Sequence, residues 1–223
     1  MMKILSLQDI YMTYGKGDGA VQALRGVDME VERGELLAVT GKSGCGKSTL
    51  LNILGGVCTP TEGSYQFEGE AVSKFSARQL ADFRNQKIGF VVQHFALIQD
   101  MTVFQNIALP LRYRGYSKKK IENRVYELLD QFELGEKENT IPPELSGGQC
   151  QRTAIARAVA GQPELLLADE PTGALDEETG GKILRIFQEL NQSGMTMVIV
   201  THDAEIANGC QRTIRMRDGQ LLD

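Results

Sequence analysis

No stretch of this chain approaches the ~18 consecutive apolar residues that a membrane-crossing helix needs. Any work at a membrane would therefore need an anchor supplied by something else. The opening residues, Met1-Met2-Lys3-Ile4-Leu5, carry no signal-peptide apolar core, so a secreted product is not expected. Cysteine is sparse. Cys45, Cys58, Cys150 and Cys210 show no C-x-x-C spacing, and reduced thiols in a cytosolic protein are expected. Basic residues are outnumbered, 24 against 29 acids, and the net charge of −5 argues against a nucleic-acid partner. Internal repeats and low-complexity segments are missing too. What remains is an ordinary globular composition, 42% hydrophobic and 24% charged over 223 residues. That length supports a substantial core, as one domain or one domain with a subdomain.

The chain is organised around Gly41-Lys42-Ser43-Gly44-Cys45-Gly46-Lys47-Ser48-Thr49, which fits the phosphate-loop pattern of a glycine, four residues, then Gly-Lys-Ser/Thr. Leu36 to Val39 before it reads as a buried strand, and Leu50, Leu51, Ile53 and Leu54 after it as a helix. Glycines let the backbone wrap an anion, and inward amides form a nest. The following helix N-terminus adds partial positive charge. Lys47 is expected on the β- and γ-phosphates and the Ser48 hydroxyl on Mg²⁺.

Taken in order, residues 3–14, 21–31 and 35–39 read as strands, the last entering the phosphate loop. Tyr65–Phe67 is a short strand. Ser76 caps a helix expected to run through Phe83, and 87–93 reads as the next strand. From Met101 to about Gly161 the pattern is helical, with N-caps at Ser117 and Ser146. Leu165–Ala168 and Met195–Val200 return to strand, separated by a helix over 182–190. A short helix near Ala204 and a hairpin at Asp218-Gly219 follow. Strands alternating with helices predict a largely parallel sheet with the ligand at its carboxyl edge.

Leu165-Leu166-Leu167-Ala168 ends in Asp169-Glu170. An acid at that edge can hold Mg²⁺, and Glu170 would orient and polarise the attacking water as general base. Leu145-Ser146-Gly147-Gly148-Gln149 is a capped, glycine-bearing helix start, a second anion site on the same chain.

With these stretches in hand, the chain resembles the ATP-binding-cassette ATPases, whose signature is Leu-Ser-Gly-Gly-Gln, over nearly its whole length. The resemblance implies an α/β fold of the P-loop NTPase (RecA-like) type, with a parallel-sheet core, an N-terminal antiparallel β subdomain and an inserted helical subdomain. The boundaries expected are 1–94 and 162–223 for the ATP-binding core and 95–161 for the helical signature subdomain, within a single domain over 1–223. It implies ATP and Mg²⁺ as ligands. Tyr14 is similar to the aromatic that stacks on adenine, with a core tyrosine as the competing reading. Gln93 resembles the glutamine that senses Mg²⁺ and the attacking water. Asp176, in Gly173-Ala174-Leu175-Asp176, resembles the D-loop aspartate, and His202 the histidine that contacts the γ-phosphate.

The family pattern implies two copies head to tail. One copy supplies Lys47, Ser48, Gln93, Asp169, Glu170 and His202; the other closes the site with Ser146, Gly147, Gly148, Gln149 and Asp176. Ala23-Leu24-Arg25-Gly26-Val27, Leu51-Asn52-Ile53-Leu54-Gly55-Gly56 and Ala168–Asp176 are similar to the macrolide-exporter and lipoprotein-release branch. That branch implies a partner permease with an extracytoplasmic domain, and a cytoplasmic protein held peripherally on the inner face of the membrane. The alternative is a cell-division type of cassette acting as a nucleotide-regulated scaffold. Cys45 and Cys150 depart from the family pattern, and a reactive Cys45 thiol beside Lys47 is one expectation, an inert small side chain the other.

Overall fold

The computed structural model describes residues 2–222. Two long strands, β1 (Lys3–Tyr14) and β2 (Val21–Glu32), pair antiparallel. β3 (Leu36–Thr40) runs through the glycine loop into α1 (Lys47–Leu54). β4 (Glu62–Phe67) and the short β5 (Glu70–Ala71) complete an antiparallel sheet ordered β2-β1-β4-β5. Next come α2 (Ala77–Lys87) and β6 (Ile88–Val91), then α3 (Val103–Tyr113), α4 (Lys118–Gln131) and α5 (Gly147–Val159). β7 (Leu165–Asp169), α6 (Glu177–Gln192), β8 (Thr196–Thr201) and α7 (Ala204–Asn208) precede the hairpin of β9 (Arg212–Arg217) and β10 (Gln220–Leu222).

The second sheet has the order β10-β9-β3-β8-β7-β6. All of its pairings are parallel except β10 on β9. Its central strands are apolar on both faces, as a sheet covered on both sides requires. Leu37, Val39, Leu165, Leu167, Val198 and Val200 face α1 and the antiparallel sheet. Leu36, Leu166, Ala168, Met197 and Ile199 face α3 to α6. The parallel pairing of β9, β3, β8, β7 and β6 aims their carboxyl ends at one edge. The loops after β3, β6, β7 and β8 therefore meet there, and they carry all the loop chemistry expected from the sequence.

Two boundaries differ from the sequence reading. α2 continues past Phe83 to Lys87, so β6 spans only Ile88–Val91. A capping box at Ser76 and Gln79 starts α2, and in its third turn Arg84 donates to the Gly56 carbonyl at 2.7 Å, which holds that turn down. β6 also ends two residues before Gln93, which sits in a loop beyond the strand. α6 begins at Glu177 rather than Lys182, because the Asp176 carboxylate accepts from the Thr179 backbone N–H at 2.9 Å and from its hydroxyl at 2.8 Å. Among the described residues no helix is long and apolar enough to cross a membrane.

Candidate active site

The glycine loop fits its place through close backbone approach. A Cβ on Gly41 would lie 2.3 Å from the Met216 carbonyl oxygen, and one on Gly46 2.6 Å from that of Ala23. Gly46 also holds φ +110°, in the region that excludes most side chains. The loop is propped from behind by the β9–β10 turn. Gly219 donates its N–H to the Cys45 carbonyl at 3.0 Å and accepts from Arg25 N–H at 2.9 Å, joining the loop to both sheets.

In front of the loop lies a cleft of about 920 Å³. Lys42, Ser43, Gly44, Gly46, Lys47, Ser48 and Thr49 line one wall; Gln93, Asp169, Glu170 and His202 line the other. Lys47 is buried, and its ammonium donates to the Gly41 carbonyl at 2.8 Å and the Lys42 carbonyl at 3.2 Å. It also lies 4.0 Å from Glu170 Oε1. Glu170 Oε2 accepts from the His202 backbone N–H at 3.2 Å and meets His202 Nδ1 at 2.8 Å. The carboxylate is thus held between a lysine and a histidine, with both oxygens placed. Glu170 itself has φ +46°, a left-handed backbone uncommon for any residue but glycine. Its N–H donates to the Val200 carbonyl and its carbonyl accepts from Gly173. The Gln93 amide nitrogen sits 3.0 Å from where a Cβ on Gly173 would be, which brings the loop after β6 onto the loop after Glu170.

Asp169 is half-buried, and burial pushes its carboxyl above the ordinary carboxylate value, with the Glu170 charge adding to the push. The Ser48 hydroxyl and the Lys47 ammonium oppose it. A hydroxyl beside a carboxylate, with the Gln93 amide lining the same cleft, is an oxygen donor set of the sparse kind that Mg²⁺ uses when phosphate oxygens and water supply the rest.

The remaining sequence-derived residues lie outside this cleft. Ser146 caps α5, accepting from Gln149 N–H at 3.3 Å, and Gln149 Oε1 accepts in return from Ser146 N–H at 2.9 Å. The signature glycines pack on the neighbouring helix: a Cβ on Gly148 would meet Thr179 Cγ2 at 2.8 Å, and one on Gly147 would meet Leu175 Cδ2 at 3.2 Å. Ser146, Gly147, Gly148, Gln149 and Asp176 therefore form one surface with the start of α6, apart from Lys47 and Glu170 in the same chain. Tyr14 ends β1 with 43% of its surface exposed, which removes the core reading, though it does not line the cleft. Cys45 is packed under the loop at 8% exposure. Its thiol lies 2.7 Å from where a Gly41 Cβ would be, a confinement that favours the inert reading. Cys150 is buried against Leu97 and Ala154.

Several residues at the site were missed from the sequence. Asp218 and Gly219 read only as a turn, yet they line the cleft, as does Arg25 of β2. Gln151 and Arg157 of α5 are the others. Gln151 donates to the Pro171 carbonyl at 2.6 Å, and Arg157 donates to the carbonyls of Ala96 at 2.7 Å and Phe95 at 3.0 Å. Phe95 and Ala96 are both left-handed, at φ +60° and +45°, so the arginine clamps a strained turn just beyond Gln93. The available signal was a polar Gln151 one helical turn before Ile155, on a face otherwise apolar.

A family model described as ABC transporter matches residues 24–173. The chain is 46% identical, over 99% of its length and 94% of the relative's, to an uncharacterized ABC transporter ATP-binding protein of Thermotoga maritima. It is 41% identical, over its whole length, to the macrolide export ATP-binding/permease protein MacB of Mannheimia succiniciproducens, but spans only 34% of that protein. Among solved structures it superposes with a TM-score of 0.91, at 39% identity and 98% coverage, on the dimeric post-hydrolysis state of the ATP-binding cassette MJ0796 bound to ADP and Pi, of which it covers 97%.

Proposed function

This chain belongs to the ABC transporter family as an ATP-binding cassette ATPase, and from that premise we propose that it works as a head-to-tail dimer that drives a separate membrane permease. The observation that carries the reading is the separation within one chain of two complementary half-sites. The cleft holds Lys47, Ser48, Gln93, Asp169, Glu170 and His202. The capped N-terminus of α5 points its donors elsewhere, so a second copy can present that surface to the cleft.

In this reading the loop amides and Lys47 bind the polyphosphate, and Tyr14 provides a stacking face for the base. Glu170, fixed by His202 and Lys47, takes the proton of the attacking water. His202 contacts the γ-phosphate. Ser48, Asp169 and Gln93 would hold Mg²⁺, which when bound supplies charge neutralisation on the phosphoryl oxygens. Ser146 to Gln149, with Asp176, close the opposite copy's site. Residues 95–161 form the subdomain whose swing opens and closes the dimer on residues 1–94 and 162–223.

The permease partner is supported by relatives whose name joins ATP-binding and permease functions, matched here over about a third of their length. The macrolide-exporter and lipoprotein-release branch, with an extracytoplasmic domain on the permease, is the finer assignment we favour. Such a subunit would sit peripherally on the inner membrane face. Sedimentation of Glu170→Gln with ATP tests the dimer: it should double in mass, and Ser146→Arg in the same background should abolish the doubling. A monomer under saturating ATP would end the proposal.

A further inference from the structure

Gln151 is completely buried, yet none of the chemistry assigned above uses it. Its amide nitrogen donates to the Pro171 carbonyl at 2.6 Å. The amide cannot be reversed, since that would set two oxygens in contact at the same distance. Pro171 has no N–H, so this carbonyl is its whole backbone hydrogen-bonding capacity, and Gln151 takes it. The preceding residue is Glu170, held at φ +46° by its own N–H on Val200 and its carbonyl on Gly173. Gln151 adds a third restraint on that segment, and it comes from a different helix.

That helix is α5, whose cap is Ser146. Gln151 follows the cap by about 7.5 Å of helix, a turn and a half. We propose that Gln151 is a positioning residue for hydrolysis: it ties the backbone carrying Glu170 to the helix whose N-terminus engages the nucleotide held by the second copy. The inference rests on the dimer reading above. Its consequence is that closure of one site on α5 is felt at the catalytic glutamate of the other.

A purely structural role fits the residue poorly. Gln151 Oε1 is buried, with no hydrogen-bond partner among the described residues. The desolvation penalty of that oxygen is at least comparable with the net gain from one hydrogen bond. A methionine of similar length would remove the unpaired oxygen but also the donor, leaving the buried Pro171 carbonyl unpaired. Among the described residues the amide's one hydrogen bond is to Pro171, and placement of that carbonyl is the use it points to.

The test is Gln151→Met, studied alone and with Glu170→Gln. Gln151→Met should fold, with its melting temperature lowered by a few degrees by the unpaired Pro171 carbonyl, keep its nucleotide KM, and in the double variant still dimerise with ATP. Its kcat should fall roughly ten- to a hundred-fold, the scale of a small misplacement of a catalytic group. Gln151→Asn, one methylene too short to reach Pro171, should lose kcat equally and serves if the methionine variant fails to fold. Wild-type kcat in either variant overturns the proposal, as does a kcat loss matched by a rise in KM. Failure of Glu170→Gln alone to dimerise with ATP would instead remove the dimer reading and leave the kcat comparison intact.

Discussion

Replacing Glu170 by glutamine is the sharpest probe of the cleft. The side chain keeps its shape, and its oxygen can still accept from the His202 backbone N–H, now at 3.2 Å. What is lost is the negative charge and the ability to take a proton. Positioned general bases contribute roughly 10²- to 10⁴-fold, so kcat should drop by that factor, or about 3–5 kcal/mol in activation free energy. The charge loss has a second effect with the opposite sign. Lys47 lies 4.0 Å from Glu170 Oε1, and both side chains are largely buried. At an effective dielectric of about 20, that separation corresponds to an attraction on the order of 4 kcal/mol, much of it offset by desolvation. Freed from it, Lys47 should hold the polyphosphate more firmly. ATP affinity should therefore stay equal or tighten while turnover collapses. Phosphate release under steady state gives kcat, and titration of a fluorescent ATP analogue gives affinity. Turnover within threefold of wild type, or affinity weakened tenfold, would refute the assignment of Glu170 as a base poised against Lys47.

Lys47→Ala should weaken ATP binding by at least tenfold, since the loop loses its full charge; calorimetric titration reads it directly. Gly46→Ala should lower the melting temperature by several degrees and abolish ATP binding, because the new Cβ meets the Ala23 carbonyl at 2.6 Å in a left-handed backbone. Asp169 gives a pH signature. Its folded carboxyl keeps its proton to higher pH than in the unfolded chain, so its contribution to stability is lost as pH rises through that window. Mg²⁺-nucleotide affinity should move the other way, falling as pH drops and the carboxylate protonates. Thermal melts and affinity measured from pH 4 to 7 should show these opposed trends, and Asp169→Asn should flatten both.

Much of this was legible because the informative features are local. The phosphate loop, the apolar strand ending in Asp169-Glu170 and the Ser146 cap each occupy a short run whose residue types have few other uses. The parallel pairing of β3, β8 and β7 then brought the first two of those runs to one edge of the sheet. The start of α6 at Glu177 was missed because Asp176 was read for its place in a loop rather than as a cap. The continuation of α2 past Phe83 was missed because Arg84 anchors its last turn through Gly56, a contact 28 residues away in the chain. Gln151, Arg157 and Gly219 act through backbone carbonyls of distant segments. No pattern in a single sequence reveals which carbonyl a side chain will meet.

The way β3 is framed has a consequence for how the protein comes into being. Its hydrogen-bonded neighbours are β8 and β9, and the turn that supports Cys45 is Gly219, all made long after residues 41–49 have left the ribosome. A nascent chain carrying the entire glycine-rich motif still lacks both flanking strands and the support behind it. Competence to grip a nucleotide should thus arrive abruptly once β9 and Gly219 have been made, and a chain truncated before Gly219 should not sequester ATP.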